Sequence, residues 1–216
     1  MDNYDSKYME VFYMSAFLAP IHFMVYGKNQ LQEQLIAAIA DKAVAEGWAA
    51  ETDVEGYVRR ESQPLDAVID LANIHGWLSA NIEDVEHRLA ALVTELLFGH
   101  PERQEVLEAV AYDEGKKQEA DEGLEAGEAF QYLMTHLVDG MPCDGVNMMR
   151  DQSANTFRWD KMADVHSRYW TEVEGSPAVY KALRDKFTAG MLDKSGYEVY
   201  SSNDVNYVLQ KKEMTA

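Results

Sequence analysis

The stretch NIEDVEHRLAALVTELL, residues 81–97, has the most regular pattern in the sequence. Its apolar residues recur every three or four positions and are Ile82, Val85, Leu89, Leu92, Val93, Leu96 and Leu97. This spacing places them in one stripe along an α-helix, with charged residues on the opposite side. Gly99 follows and can end the helix. The stretch therefore predicts an amphipathic helix whose stripe packs into a core.

Helical patterns continue on both sides of this stretch. Further helices are predicted over residues 29–47, 52–58, 64–76 and 100–110. Each begins at a residue type that suits a helix start, namely Asn29, Thr52 with Glu55 in a capping box, Pro64, and Pro101. Together these patterns predict a mainly α fold, a globular bundle of about seven to nine helices.

The pattern changes after residue 112. Glycines weaken the helix signal over residues 113–128, whereas residues 130–137 recover helical spacing. Two more helices are predicted over residues 157–173 and 176–189. The segment YEVY, which begins at Tyr197, is typical of a strand. The segment that follows fits either its hairpin partner or a capped helix from Ser202, so a small β element near residues 197–209 is an option.

Gly140, Pro142 and Gly145 form the best linker candidate, and the charge changes at the same place. Residues 1–140 hold 27 of the 38 Asp and Glu residues but only 9 of the 19 Lys and Arg residues. We therefore divide the chain into an acidic helical body, residues 1–140, and a near-neutral, aromatic-rich helical region, residues 141–216. The two are separate domains or parts of the same domain.

Composition restricts the class of protein. A chain of 216 residues that is 47% hydrophobic can bury a substantial core. Cys143 is the only cysteine, so no disulfide forms within the chain, and a cytoplasmic location is expected. The apolar run over residues 11–26 is shorter than a membrane-spanning helix and contains Pro20 and His22. It predicts a buried helix, with a dimer interface as the alternative, and no membrane contact is expected.

The sequence contains no strand followed by a phosphate-binding loop, no paired Cys-x-x-Cys elements and no His-Glu-x-x-His. Cys143 with His136 or His166 lacks any local signature of a nucleophile. Glu83 and Glu86 are three residues apart on one predicted helix, and Glu105 and Glu108 repeat that spacing on the next. Such carboxylate pairs suit Mg²⁺.

In this spacing the chain resembles helical nucleotide pyrophosphatases, although the second pair ends in Glu where that family usually has Asp. The resemblance implies a Mg²⁺-dependent enzyme that acts on nucleotides, with Glu83, Glu86, Glu105 and Glu108 as ligands. No set of Lys or Arg for a triphosphate accompanies the pairs. A solvated helix face is the alternative interpretation, and it needs no cofactor.

The net charge of −19 indicates a different function. Such a field repels nucleic acid and anionic lipid, which disfavours direct binding to either. Glu114, Asp121, Glu125 and Glu128 lie at offsets 0, 7, 11 and 14 and would share one face of a continuous helix. Carboxylates spaced along a helix can imitate the phosphates of DNA and occupy a basic groove.

We therefore expect a non-enzymatic inhibitor that mimics the charge of nucleic acid. Its partner would be a basic DNA- or RNA-binding protein, such as a restriction enzyme or another defence enzyme, and inhibitors of this type are often carried by phages or mobile elements. The residues expected to contact the partner are Glu105, Glu108, Glu114, Asp121, Glu122, Glu125 and Glu128. Aromatic and Arg residues after residue 156 predict core packing, with a homodimer contact as the alternative.

Overall fold

A computed structural model describes residues 18–212 of the chain. These residues form eight α-helices and a four-stranded antiparallel sheet, which confirms the mainly α fold with a small β element. The helices are α1 (Pro20–Ala45), α2 (Glu51–Val54), α3 (Leu65–Val68), α4 (Ile74–Leu97), α5 (Gln104–Lys116), α6 (Ala126–His136), α7 (Ser167–Glu172) and α8 (Pro177–Met191). The strands are β1 (Asn147–Gln152), β2 (Thr156–Lys161), β3 (Tyr197–Ser201) and β4 (Asn206–Lys211).

Helix α4 contains the apolar stripe, and its core role is confirmed because all stripe residues except Leu97 are buried. The helix begins earlier than the stretch over residues 81–97 predicts, at Ile74. The side chain of Asn73 caps it by accepting a hydrogen bond from the Gly76 amide (3.2 Å). The predicted helix over residues 64–76 is therefore wrong as a single element, because α3 ends at Val68 and the chain turns before α4.

Helix α1 lies against α4 and shares polar contacts with it. Asn29 does not cap a helix, as the sequence suggested, because α1 already begins at Pro20. Instead Asn29 is buried and donates to Asn81 (2.8 Å) on α4. Arg88 on α4 forms a buried ion pair with Glu33 on α1. These contacts fix the two longest helices against each other.

The short helices and the N-terminal apolar run also differ in detail from the prediction. Helix α2 is capped by Asp53, which accepts from the Ala50 amide (2.9 Å), so the predicted capping box of Thr52 and Glu55 is wrong. Of the apolar run over residues 11–26, the part before residue 18 lies outside the described residues. None of the described helices is long and apolar enough to cross a membrane.

Helices α5 and α8 pack with unusually close backbones. A Cβ added at Gly115 would lie 2.0 Å from the carbonyl oxygen of Phe187, and one added at Gly190 would lie 2.1 Å from that of Tyr112. Both glycines are buried within helices. The sequence predicts a helix that ends at residue 189, but α8 continues to Met191, and Gly190 is a packing residue one position before its end.

The sheet has the strand order β1-β2-β4-β3, with every neighbouring pair antiparallel. The strand at Tyr197 is confirmed, and the segment after it forms the hairpin partner. The predicted helix over residues 157–173 is wrong: residues 157–161 lie in β2, and only Ser167–Glu172 is helical. In β2, Phe157 and Trp159 alternate with exposed Arg158, and Phe157 stacks on Phe130 of α6 (4.0 Å between centroids).

The main core combines both parts of the chain. It joins Leu35 and Leu89 of the helical body to Trp170, Leu183 and Leu209 of the C-terminal region in one cluster of buried residues. Several of the C-terminal aromatic residues are buried there, as Trp159, Tyr169 and Trp170 illustrate. A smaller cluster lies where α1, α3 and α4 meet, and it contains Val25, Leu65, Ile74, Leu78, Ile82 and Val138.

Candidate functional site

The acidic helix face expected from the sequence does not form. Helix α5 ends at Lys116 and α6 begins only at Ala126, with Gly123 at a φ of 85° between them. Glu114 is buried on α5 and paired with Lys117 (2.5 Å). Asp121 lies in the connection, and Glu125 caps α6. The prediction of one continuous face is wrong because the glycines allow a turn that breaks the helix.

The other expected contact residues are also dispersed. Glu122 is exposed in the same connection, and Glu128 accepts a hydrogen bond from the Glu125 amide (2.9 Å). Glu105 is exposed near the start of α5, whereas Glu108 is partly buried and accepts from Gln104 (2.9 Å). The acidic residues expected to contact a partner therefore occupy two helices and the turn between them.

The carboxylate pairs proposed for Mg²⁺ are not brought together. Glu83 accepts a hydrogen bond from Arg168 (3.0 Å), and Glu86 is paired with His166 (3.1 Å). Glu105 and Glu108 lie at the start of α5, beyond the far end of α4. Among residues 18–212, no group of three or more His, Cys, Asp or Glu side chains is placed to hold a metal ion. Cys143 is exposed, whereas His166 is buried and engaged with carboxylates.

A different set of carboxylates gathers at one end of the helical body. Here α1 and α4 end and α5 begins, and the segment over residues 48–57 packs between them. Tyr57 donates to Glu95 (2.6 Å), and the Arg103 guanidinium lies 4.9 Å from the centre of the Trp48 ring. We call this region the acidic end and define it by Glu46, Glu51, Asp53, Glu55, Glu95, Glu102 and Glu105.

Few of these acids are neutralised. Within the part of the chain that the structure describes, Glu51, Glu55 and Glu105 have no Lys or Arg nitrogen within 4.0 Å. The pKa of Tyr57 is raised to about 12, mainly because its hydroxyl donates a hydrogen bond to Glu95. The acidic end therefore presents several carboxylates to solvent without cationic partners.

Phe98 is the most exposed large apolar residue described, with 85% of its surface accessible. It follows α4 directly, and Gly99 turns the chain there with a φ of 72°. In the sequence, Glu95 precedes it by three residues and Glu102, which pairs with His100 (3.0 Å), follows it by four. Exposed aromatic rings beside charged groups are a frequent feature of protein-binding surfaces.

A second arrangement lies inside the molecule. Five buried or nearly buried ionisable side chains, which we call the charge cluster, are Glu86, Asp139, Lys161, His166 and Arg184. They come from α4, the segment after α6, β2, the segment before α7, and α8. The charge cluster therefore joins five elements that are distant in sequence.

Asp139 is the centre of the charge cluster. Its carboxylate accepts from Arg184 (2.7 Å) and lies 3.2 Å from the Lys161 ammonium and 3.3 Å from His166 Nε2. The other ring nitrogen of His166 lies 3.1 Å from Glu86. Arg184 also donates to the Val138 carbonyl (2.7 Å), which ties α8 to the segment that carries Asp139.

These contacts shift the pKa values of the cluster. Burial opposes ionisation of Asp139, but the charges of Arg184 and Lys161 and the hydrogen bond from His166 hold its pKa well below the usual range. Burial likewise opposes the imidazolium, yet Glu86 and Asp139 raise the pKa of His166. Burial and the charge of Arg184 lower the pKa of Lys161.

A cleft of about 730 Å³ opens above the charge cluster, between the sheet and α8. Trp159 and Lys161 of β2 lie on its sheet side, together with Tyr207 of β4, and Tyr180 and Arg184 lie on its helix side. Residues 180 and 184 are one helical turn apart, so both face the sheet. The cleft has the size of a small-molecule site.

The charge cluster escaped prediction because its members are scattered through the sequence. The sequence suggests Glu86 only as a Mg²⁺ ligand and His166 only as a partner of Cys143. No sequence pattern distinguishes Asp139 or Lys161 from other charged residues. Arg184 is the exception, because it follows buried Leu183 and precedes buried Phe187 on α8. A charged residue on the inner side of a helix indicates a buried partner.

No protein-family model matches the chain, and no curated protein or solved structure shows significant similarity to it. The acidic end and the charge cluster therefore supply the functional conclusions that follow.

Proposed function

We propose that the protein is an acidic interaction protein that binds a basic partner through the acidic end. The single observation that carries this proposal is the almost fully exposed ring of Phe98, which follows α4 directly at the acidic end. With 85% of its surface exposed, the ring keeps apolar area in unfavourable contact with water and contributes little to the stability of this fold. Bound in an apolar pocket of a partner, the same ring would anchor an interface.

The carboxylates add electrostatic attraction to the apolar contact that Phe98 would make. With a net charge of −19, the molecule attracts basic surfaces over a distance of roughly 10 Å at moderate salt. Glu51, Glu55 and Glu105 would then pair with Lys or Arg of the partner at the rim of the interface. Rim charges of this kind accelerate association and make affinity depend on salt.

The more specific form of the proposal is mimicry of nucleic acid. A basic groove that binds DNA gains free energy from neutralising phosphates, and a carboxylate-rich surface can offer the same kind of neutralisation. The partner would then be a DNA- or RNA-binding protein, such as a restriction or other defence enzyme, and the protein itself would perform no catalysis. The acids of the connection, Asp121, Glu122 and Glu125, are the alternative contact set.

The Mg²⁺-dependent nucleotide enzyme is not retained as a second candidate. That function needs Glu83, Glu86, Glu105 and Glu108 around one cation, and the two pairs have different neighbours. Glu86 is buried against His166. No specific observation in the described residues favours the metal enzyme over the binding protein.

The test uses four baits of the full chain and one lysate rich in DNA-binding proteins. Beside the wild type, one bait carries Phe98→Ser and another carries Glu51, Glu55 and Glu105 changed together to Gln. A matched control changes Asp121 to Asn and Glu122 and Glu125 to Gln, which removes the same amount of charge elsewhere. The proposal expects a partner that the control retains, that the first two variants lose, and that duplex DNA displaces.

Three results would refute parts of this proposal. A partner retained equally by all four baits would exclude the acidic end as the contact surface. Loss of binding with the control alone would move the contact surface to the connection between α5 and α6. A partner that binds duplex DNA and this protein at the same time would exclude mimicry.

A further inference from the structure

We infer that the cleft above the charge cluster is a binding site for a small organic anion, whose charged group lies against Lys161 and Trp159. This inference is independent of the acidic end. It rests on the charges beneath the cleft, on polar atoms that lack partners at its wall, and on the composition of that wall.

Together with Lys28, the buried groups around the charge cluster include more cations than anions. Lys161 and Arg184 face two carboxylates, Glu86 and Asp139, and His166 lies between these carboxylates. Lys28 is also buried and interacts electrostatically with Asp139 and Arg184. An excess of positive charge away from water is costly unless an anion compensates it. In a protein with a net charge of −19, this local excess is opposite in sign to the molecule as a whole.

Asp164 does not remove the excess. It lies at the rim of the cleft and is exposed to solvent. One of its oxygens accepts hydrogen bonds from the amides of His166 (2.9 Å) and Ser167 (3.0 Å), and the Ser167 hydroxyl donates to the other. Its charge is therefore screened by water and engaged with the start of α7.

The wall also holds a hydrogen-bond donor without an acceptor. Trp159 is 4% exposed, and its indole Nε1 has no partner within the described part of the chain. Trp159 and Lys161 are two residues apart on β2, so both side chains leave the same face of the sheet. Both line the cleft. Trp170 has an indole nitrogen without a partner as well, but it does not line the cleft.

An acceptor lies beside these two donors. Asn147 is directly opposite Lys161 in the pairing of β1 and β2, and it lines the cleft. Its amide donates to Asp139 (3.2 Å), while its carbonyl oxygen has no partner in the described residues. The site thus offers an ammonium, an indole N–H and one carbonyl. A carboxylate or phosphate oxygen fits the first two, and a donor elsewhere on the ligand fits the third.

The rest of the wall combines apolar and aromatic side chains with charged ones, and its carboxylates, those of Asp164, Asp185, Glu198 and Asp204, are exposed to solvent. Leu133 and Met134 of α6 lie on one side, and Tyr180, Val199 and Tyr207 contribute to the others. A ligand with a flat apolar body would bury that body here while its anionic group reaches the charge cluster. Inorganic phosphate would contact only the polar end of the cleft, beside the charge cluster, because it has no apolar body. The ligand class is therefore an organic carboxylate or organic phosphate.

The test observes Trp159 directly in the full chain. The chain has four tryptophans, so a nitrogen-15 correlation spectrum contains four indole signals, and Trp159→Phe assigns the one of interest. We expect benzoate to shift the Trp159 indole signal saturably, and inorganic phosphate to shift it at higher concentration. Benzamide, which is neutral and of similar shape, should leave the signal in place.

Two variants separate the site from general charge effects. Lys161→Met should weaken benzoate binding by at least about tenfold, because it removes a charge-assisted hydrogen bond. Lys181→Met is the matched control, since Lys181 lines the same cleft but is more exposed and paired with Asp185 (2.6 Å). It should change the affinity by less than about threefold.

Trp159→Phe gives a second measurement that keeps an aromatic ring in the core, and calorimetry should show weaker benzoate binding to it. The inference would be overturned if benzoate left the Trp159 signal unchanged, if benzamide shifted it equally, or if Lys161→Met and Lys181→Met bound benzoate alike. Should Lys161→Met fail to fold, judged by its other three indole signals, unchanged affinity of Trp159→Phe would overturn it as well.

Discussion

Arg184 on α8 donates a hydrogen bond to Asp139 across 2.7 Å and thereby joins this helix to the segment after α6. The two side chains are 14% and 7% exposed, so the ion pair is largely removed from water. Burial opposes the charge of Arg184, but Asp139 and Tyr180 raise its pKa further above the usual range. This pair fixes the floor of the cleft and the relative position of two elements that are distant in sequence.

Removing Arg184 should destabilise the protein strongly. Arg184→Met leaves Asp139 buried without its principal counter-charge, and we expect the free energy of unfolding to fall by about 3–5 kcal/mol. Chemical denaturation measures the difference. Arg158→Met is the control, because its ion pair with Asp151 is more than half exposed and should contribute less than about 1 kcal/mol. Equal losses in the two variants would contradict a structural role for the buried pair.

The raised pKa of His166 makes stability depend on pH. Folding favours the imidazolium, so this contribution is fully present below the unfolded pKa of 6.5 and is lost as pH rises through the folded pKa. His166→Gln should remove this dependence. Denaturation curves between about pH 6 and pH 9 should therefore show a smaller stability difference between wild type and variant at the alkaline end. A difference that grows with pH would show that His166 is buried in its neutral form.

The close packing of α5 against α8 should not tolerate a methyl group. Gly115→Ala and Gly190→Ala each force two helix backbones apart, and we expect a loss of about 1–3 kcal/mol for either. Gly27→Ala is the control: Gly27 lies inside α1, and apart from the nearby backbone of that helix no described atom lies within 4 Å of the added Cβ. That change should stabilise the protein by roughly 0.5–1 kcal/mol. Thermal unfolding of the three variants measures these differences. The prediction would be contradicted if Gly27→Ala were less stable than Gly115→Ala and Gly190→Ala.

Phe98 should matter for binding and not for folding. Because its ring is almost fully exposed, Phe98→Ser should alter the free energy of unfolding by less than about 0.5 kcal/mol. The same change should abolish retention of the basic partner. Phe130→Ser is the contrasting variant, since Phe130 is 6% exposed and stacks on Phe157, and it should unfold the protein or destabilise it severely. Comparable destabilisation by both changes would mean that Phe98 packs against the fold in solution.

The sequence predicts elements whose signal is local and regular. Seven apolar residues at helical spacing predict the stripe of α4, and clustered aromatic and β-branched residues predict the strand at Tyr197. The sequence does not distinguish helix from strand at residues 157–161, because Phe157 and Trp159 suit a helix stripe as well as an alternating strand. Only pairing with β1 and β4 selects the strand.

The candidate sites were harder to predict, for two physical reasons. The acidic face depended on a helix through residues 113–128, and a turn at Gly123 was favourable enough to break it. The charge cluster depends on contacts between residues up to 80 positions apart, such as Glu86 and His166. Periodicity reports which face of an element is buried, but it does not report which buried polar groups meet.

The most direct test of the proposed function is the salt dependence of affinity between the protein and the partner captured by the wild-type bait. The dissociation constant should rise steeply between about 50 and 200 mM salt, and duplex DNA should compete for the same surface. The variant with Glu51, Glu55 and Glu105 changed to Gln should show a smaller slope, because fewer charges are neutralised in its complex. An affinity that is independent of salt, or a complex that leaves the partner free to bind DNA, would contradict the proposal.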